Sequence, residues 1–198
     1  MDPVTTAPPR PRLAELGFDE FTARIDEALE LYVTAMGYPA GTVRQRRPLW
    51  VDHARRPGWR AVGWLDQREH LLGLAYGYTG APGQWWHEEV RRGLRGAPEP
   101  RTAWLADYFE LTELHMRPDA QGRGFGERLL RALLAGTARP VVLLSTPEQA
   151  PPGPGRAWRL YRRLGFRDVL RDHRFTGDSR PFAVLGRELP LPAPADGR

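Results

Sequence analysis

No cysteine occurs anywhere in the chain. That excludes disulfides, thiolate metal sites and a cysteine nucleophile, and it suits a reducing compartment without requiring one. No metal-ligand set is predicted. Long apolar runs are missing too. No stretch approaches the length of a membrane-spanning helix, and Met1 to Pro11 lacks the apolar core of a signal peptide. The expectation is a soluble, cytoplasmic protein with no membrane partner. Lysine is also absent, so all 29 basic side chains are arginine. We read this as a compositional bias rather than a functional choice.

At 198 residues the chain is long enough for one domain with a sizeable core, and it shows no internal repeat and no second domain. Formal charge is +5 and the pI about 10.2, which raises nucleic acid as a partner. Acidic residues are interspersed with the arginines through most of the chain, however. The pattern reads as a solvated mixed surface, and no nucleic acid is expected.

Pattern and punctuation divide the chain into mobile tails over 1–11 and 191–198 and a single domain over 12–190. Phe21, Ile25, Ala28, Leu29, Tyr32 and Val33 recur with helical period over Phe18 to Met36, and Gly37-Tyr-Pro stops the helix. A second helix is predicted over Val43 to Ala54. Trp59 to Asp66 and Leu71 to Tyr78 read as a hairpin of strands, and Trp85 to Leu94 as a short inserted helix. After a loop over Arg95 to Pro100, a strand is expected over Tyr108 to Met116. Val141 to Ser145 is a short apolar strand without alternation, as for a central, doubly covered position. Pro147 to Gly155 reads as loop, Arg156 to Leu164 as a helix closed by Gly165, and Asp168 to Phe175 and Phe182 to Leu189 as strands.

Between the strand that ends near Pro118 and the helix that opens at Glu127 stands Gln121-Gly-Arg-Gly-Phe-Gly126. Free amides at a helix start bind anions, and the helix dipole favours negative charge there. Glycines let the main chain approach a phosphate and take positive φ where needed. The spacing is G-x-G-x-G, neither a dinucleotide fingerprint nor a P-loop, and an unliganded glycine turn is the alternative reading.

The turn resembles the Q/R-x-x-G-x-G/A signature of the GNAT (N-acetyltransferase) superfamily, carried here by Gln121, Gly124 and Gly126. Downstream, Ala157-Trp-Arg-Leu-Tyr161-Arg-Arg-Leu-Gly165-Phe166 is similar to that family's closing motif A-x-x-L-Y-x-x-x-G-F. Two motifs in the right order reinforce each other, and the resemblance covers roughly Trp59 to Leu189, as in uncharacterised bacterial members. It implies an α/β (α+β) GNAT fold, a single mixed sheet with splayed parallel strands flanked by helices.

The resemblance further implies an acyltransferase with acetyl-CoA as co-substrate and an amine acceptor, in a monomer or homodimer. Pantetheine would pair with the main chain of Leu114, His115 and Met116 like an added strand. The turn Gln121, Gly122, Arg123, Gly124, Phe125, Gly126 and Glu127 would take the pyrophosphate, with Arg123 and Arg128 adding charge-assisted contacts. The family often has an Asn before the closing motif. Pro152-Gly-Pro-Gly155 stands there instead, which turns attention to Ser145 and Thr146.

Acetyl transfer to an amine needs a group that removes the ammonium proton. Two carboxylates qualify, Glu110 first and Glu113 second; regular alternation would put them on opposite faces, but this family's strand normally carries a bulge near here. Either could instead be an ordinary surface or Arg-paired carboxylate. His115 is a weaker choice. Tyr161 is the family's acid for the departing thiolate, against a plain core role at helical spacing. Tyr76, Tyr78, Trp85 and Trp86 are candidate walls of an acceptor pocket, with His87 and Trp50 beside them, or core anchors of the inserted helix. The leading reading is an acetyl-CoA-dependent N-acetyltransferase of a small-molecule amine. A protein or peptide N-acetyltransferase and a non-catalytic acyl-CoA-binding regulatory module are the alternatives.

Overall fold

A computed structural model describes residues 11–96, 102–148 and 155–193. Of the tails expected over 1–11 and 191–198, residues 1–10 and 194–198 lie outside the described residues, as do most of the Arg95–Pro100 loop and residues 149–154. Among the described residues no helix is long and apolar enough to cross a membrane.

The described residues open with a strand that sequence patterning does not announce, β1 (Arg12–Leu16). Only Leu16 of it is buried, so there is no alternation to read, and antiparallel pairing with β2 holds it at the sheet edge. The single helix expected over Phe18 to Met36 is two, α1 (Phe18–Ala23) and α2 (Ile25–Met36), broken at Arg24. Phe21, Ile25, Ala28, Leu29 and Tyr32 still face one core across the break, which is why the period hid it. Gly37, with φ of 67°, ends α2.

Then follow α3 (Thr42–Ala54), β2 (Arg60–Leu65), β3 (Leu71–Thr79), α4 (Trp85–Gly93), β4 (Tyr108–Met116), α5 (Phe125–Ala135), β5 (Val141–Pro147), α6 (Arg156–Arg163), β6 (Arg167–His173) and β7 (Phe182–Glu188). Past β7, Leu191 packs against the core beside α5, and the Pro192 carbonyl accepts a hydrogen bond from Arg131.

The seven strands run β1-β2-β3-β4-β5-β7-β6, antiparallel except for β4 and β5. On one face α1, α2 and α3 cover Leu65, Leu71, Leu74 and Tyr76, while α4 covers Tyr108, Leu143 and Val184. On the other face α5 and α6 bury Leu129, Leu130, Leu133, Trp158 and Tyr161 against Val62, Phe109, Leu111, Val142 and Leu144. This core spans both halves of the sheet.

Two irregularities position the site. The parallel pairing is three residue pairs long and ends at Glu110 opposite Leu143, although β4 runs on to Met116 and β5 to Pro147. The strands part there. Also, Tyr76 faces Glu113 while the next residue, Gly77, faces Leu111, so Thr112 is an extra residue on β4. Before the bulge Phe109 and Leu111 point toward α5; after it Leu114 and Met116 do. Glu110, Glu113 and His115 therefore share the opposite face.

Gly77 makes room for the bulge. A Cβ there would lie 2.1 Å from the Glu110 carbonyl oxygen and 2.6 Å from the Phe109 ring. Gly77→Ala is expected to lower stability by about 3 kcal/mol in chemical denaturation, because both neighbours are packed backbone or ring. A cost below about 1 kcal/mol would show that the bulge yields without strain.

Candidate active site

The glycine turn has the properties of an anion cradle. A one-turn 3₁₀ helix (Pro118–Ala120) leads into Gly122 and Gly124, with φ of 80° and 76°, and Gly124 caps α5. A Cβ on either would meet nothing within 4 Å, so the turn is open on its outer side. Phe125, Gly126 and Glu127 form the first helical turn, where amides have no intrahelical acceptor.

The side chains around the cradle divide in role. Gln121 donates to the Met116 carbonyl at 3.2 Å and accepts from Arg156 at 2.8 Å, tying β4, the turn and α6 together. The Glu127 carboxylate is engaged by Arg131 and Arg163. Arg128 lies over the Trp64 ring at 5.6 Å. Arg123 is exposed and makes no ion pair among the described residues.

From the cradle the open edge of β4, Leu114 to Met116, runs back to the point where β4 and β5 part. A ligand with a phosphate at the turn and an extended arm along the edge that β5 leaves unpaired suits this geometry, with the Met116 carbonyl already taken by Gln121. On β5, the Ser145 hydroxyl accepts from the Trp86 indole at 3.1 Å, and Thr146 is buried.

Above this edge lies a line of buried and half-buried polar groups. Glu110, 3% exposed, accepts from the Tyr78 hydroxyl at 2.9 Å through Oε1, and its Oε2 is buried with no partner among the described residues. Burial pushes its carboxyl up to about 7; the Tyr78 bond and the Arg56 charge pull it down, and Glu113 pushes it further up. Glu113 and His115 are hydrogen-bonded to each other, and His115 packs edge-on against Tyr32 at 5.1 Å. Tyr76 shares a hydrogen bond of 3.1 Å with His53, whose imidazole burial pushes down to about 3, helped by Arg56 and Arg46, so that it stays neutral.

Tyr161 is buried on the α6 side, and burial followed by the Glu113 charge raises its hydroxyl pKa. It stays protonated throughout the working range and is able to donate.

The proposed pocket walls separate. Tyr76 and Tyr78 belong to the polar line. Trp86 is buried beside Tyr108 at 5.9 Å, and His87 shares a hydrogen bond with the Tyr108 hydroxyl. Trp85 instead points outward, 55% exposed, with its ring 5.5 Å from that of Phe175. Across the parted strands, Arg180 donates to the Tyr38 hydroxyl at 3.2 Å, joining the turn after α2 to the β6–β7 connection.

Sequence reasoning did not single out Tyr32, Tyr38, His53, Arg56 or Arg180. His53 carried a usable signal, three residues after the buried Trp50 on the inward face of α3. For Arg56 and Arg180 there is none, since the rings they reach, Tyr78 and Tyr38, are distant in sequence.

Three comparisons bear on this arrangement. A family model described as an acetyltransferase (GNAT) domain matches residues 87–168. A GCN5-like protein acetyltransferase of Mycobacterium tuberculosis is 47% identical over 203 residues, covering 90% of this chain and 98% of that protein. Among solved structures, an acetyltransferase from Thermus thermophilus has a TM-score of 0.56 at 20% identity, covering 93% of this chain and 100% of that one. The PaiA N-acetyltransferase of Thermoplasma acidophilum, in complex with coenzyme A, has a TM-score of 0.57 at 13% identity over 91% of this chain and 100% of its own.

Proposed function

The chain belongs to the GNAT acetyltransferase family, acyltransferases with an acyl-CoA donor, and from that premise we propose that it moves an acetyl group from acetyl-CoA to a primary amine by direct attack. The observation that carries this reading is Glu110, a buried carboxyl with one oxygen held by Tyr78 and the other free, at the point where β4 and β5 part.

In this mechanism Glu110 takes a proton from the acceptor ammonium, and the neutral amine attacks the thioester carbonyl. The C–N bond forms, giving a tetrahedral intermediate. As it collapses, the C–S bond breaks and Tyr161 gives its proton to the thiolate sulfur. The second amine proton restores the tyrosine, so the reaction releases one proton overall, through Glu110. A carboxyl titrating near neutrality suits this work, since it is ionised often enough to act and basic enough to accept. The amides of Gly122 to Glu127 would hold the pyrophosphate, and the edge of Leu114 to Met116 the pantetheine arm.

For the acceptor, the Mycobacterium relative called a protein acetyltransferase supports an amine on a protein or peptide. A small-molecule amine, the first choice from sequence, stands as the second reading. The Tyr38–Arg180 bridge favours it, because a tie between the turn after α2 and the β6–β7 connection suits an enclosed acceptor. Thiol release from acetyl-CoA separates the two when lysine peptides are compared with polyamines, aminoglycosides and amino acids. Turnover confined to peptides supports the first reading. Binding of acetyl-CoA with no thiol release for any amine would reveal a binding module instead.

Tyr161→Phe is expected to lower kcat roughly ten- to a hundredfold with little change in the KM for acetyl-CoA. An unchanged kcat would leave Tyr161 as core only.

A further inference from the structure

Arg56 stands just past the end of α3, half-buried, with its guanidinium 4.5 Å from the centre of the Tyr78 ring. Its neighbours on either side are engaged by carboxylates, Arg55 by Asp52 and Arg60 by Glu15. Arg56 has no such partner among the described residues. A guanidinium at this depth without a counter-ion is held by the ring it covers.

The far end of that ring is the hydroxyl that donates to Glu110 Oε1 at 2.9 Å. Among the described residues no cation forms an ion pair with Glu110 itself. The groups that face it are Tyr76 and Tyr78 from β3, Tyr108 and Glu113 from β4, and Arg56 beyond α3. From α3, His53 lies against the Tyr78 ring at 5.2 Å, and it is neutral. From α4, His87 meets Tyr108 rather than Glu110. On β5 the residue opposite is Leu143. Arg56 is the cation whose charge acts on this carboxyl, and the Tyr78 phenol bridges the two. A cation over the ring face draws electron density from it and makes the O–H a stronger donor to an anionic acceptor.

We propose that Arg56 is a positioning residue for acyl transfer, acting through the face of Tyr78 to hold the Glu110 carboxylate and favour the ionised form that accepts the acceptor's proton. The proposal rests on the reading of Glu110 as the base. Arg56 touches neither substrate nor reacting atoms in this role.

The test is the pH profile of kcat/KM for wild type, Arg56→Met, Arg56→Lys, Tyr78→Phe and Glu110→Gln. Methionine keeps an unbranched apolar stem but no charge, and Arg56→Gln replaces it should methionine unfold the chain. Wild type should show an acid limb near pH 7. In Arg56→Met that limb should move upward by about half to one pH unit, a roughly three- to tenfold loss at pH 6 that vanishes by pH 9. Arg56→Lys should recover part of the shift. Tyr78→Phe should move the limb at least as far, and adding Arg56→Met to it should change little, since both act through one hydrogen bond. A loss by the same factor at every pH in Arg56→Met, with Glu110→Gln inactive, overturns the proposal alone. A Glu110→Gln enzyme with the wild-type profile overturns the base assignment and the proposal with it.

Discussion

Glu110→Gln should cost roughly a hundred- to a thousandfold in kcat while leaving acetyl-CoA affinity within about threefold, and the same change should reverse its effect on stability as pH rises. The catalytic part follows from the typical worth of a positioned general base. The stability part follows from burial. In the fold this carboxyl titrates at about 7, against 4.5 for an ordinary glutamate. Below the lower value both folded and unfolded chains carry the proton, and the carboxyl costs nothing. As pH rises, the unfolded chain ionises first, so stability is lost between the two values and levels off above the higher one. The loss is on the order of 3 kcal/mol. Gln has no such titration, although its buried amide N–H groups lack a partner, which costs about 1–3 kcal/mol at every pH. Wild type should therefore be the more stable near pH 4 and should lose its lead by pH 8, as read from denaturant midpoints at the two pH values. A difference that is flat with pH would mean the carboxylate is solvated, and a variant of normal kcat would end its role as base.

Gly126→Val should weaken acetyl-CoA binding by about a hundredfold or more while leaving the fold intact. The residue is in the first turn of α5, with a backbone that any residue adopts. A Cβ there would lie 3.7 Å from Met116 and 4.0 Å from Leu160, ordinary contact distances. The folding cost is then close to the helix propensity difference, which is small. The branched side chain, however, grows into the slot between the end of β4 and α6, beside the amides of the cradle. Losing two charge-assisted hydrogen bonds to pyrophosphate is worth about 3 kcal/mol, the equivalent of that hundredfold. Calorimetric titration with acetyl-CoA checks the affinity, and a thermal melt checks the fold. Wild-type affinity would place the donor elsewhere.

Much of this was legible in the residues. β4 was expected over Tyr108 to Met116 and spans those residues; the glycine turn and the Tyr161 helix also stand where punctuation put them. These signals are local: a periodic run bounded by glycine, or glycines with positive φ. What was not legible depends on contacts between distant segments. β1 buries one residue, so its pairing and not its pattern makes it a strand. Arg24 breaks a helix without disturbing its apolar stripe. The bulge at Thr112 decided which face Glu113 takes, and nothing in Leu-Thr-Glu shows an extra residue; the space at Gly77, on another strand, admits it. That both carboxylates share one face thus follows from a register that only the neighbouring strand sets.

The two faces of the sheet are cored differently, and that has a bearing on how such a protein diversifies. Under α5 and α6 one apolar core runs unbroken beneath both half-sheets, like the spine of a book. On the opposite face the covers are separate, one under α1 to α3 and one under α4. On the reading proposed above, the donor would lie along the spine and the acceptor would come in between the covers. Changes in the turn at Tyr38 or in the connection around Arg180 would then alter what is admitted without disturbing what is donated. Acceptor choice would be free to drift over the lineage while the grip on coenzyme A is inherited intact.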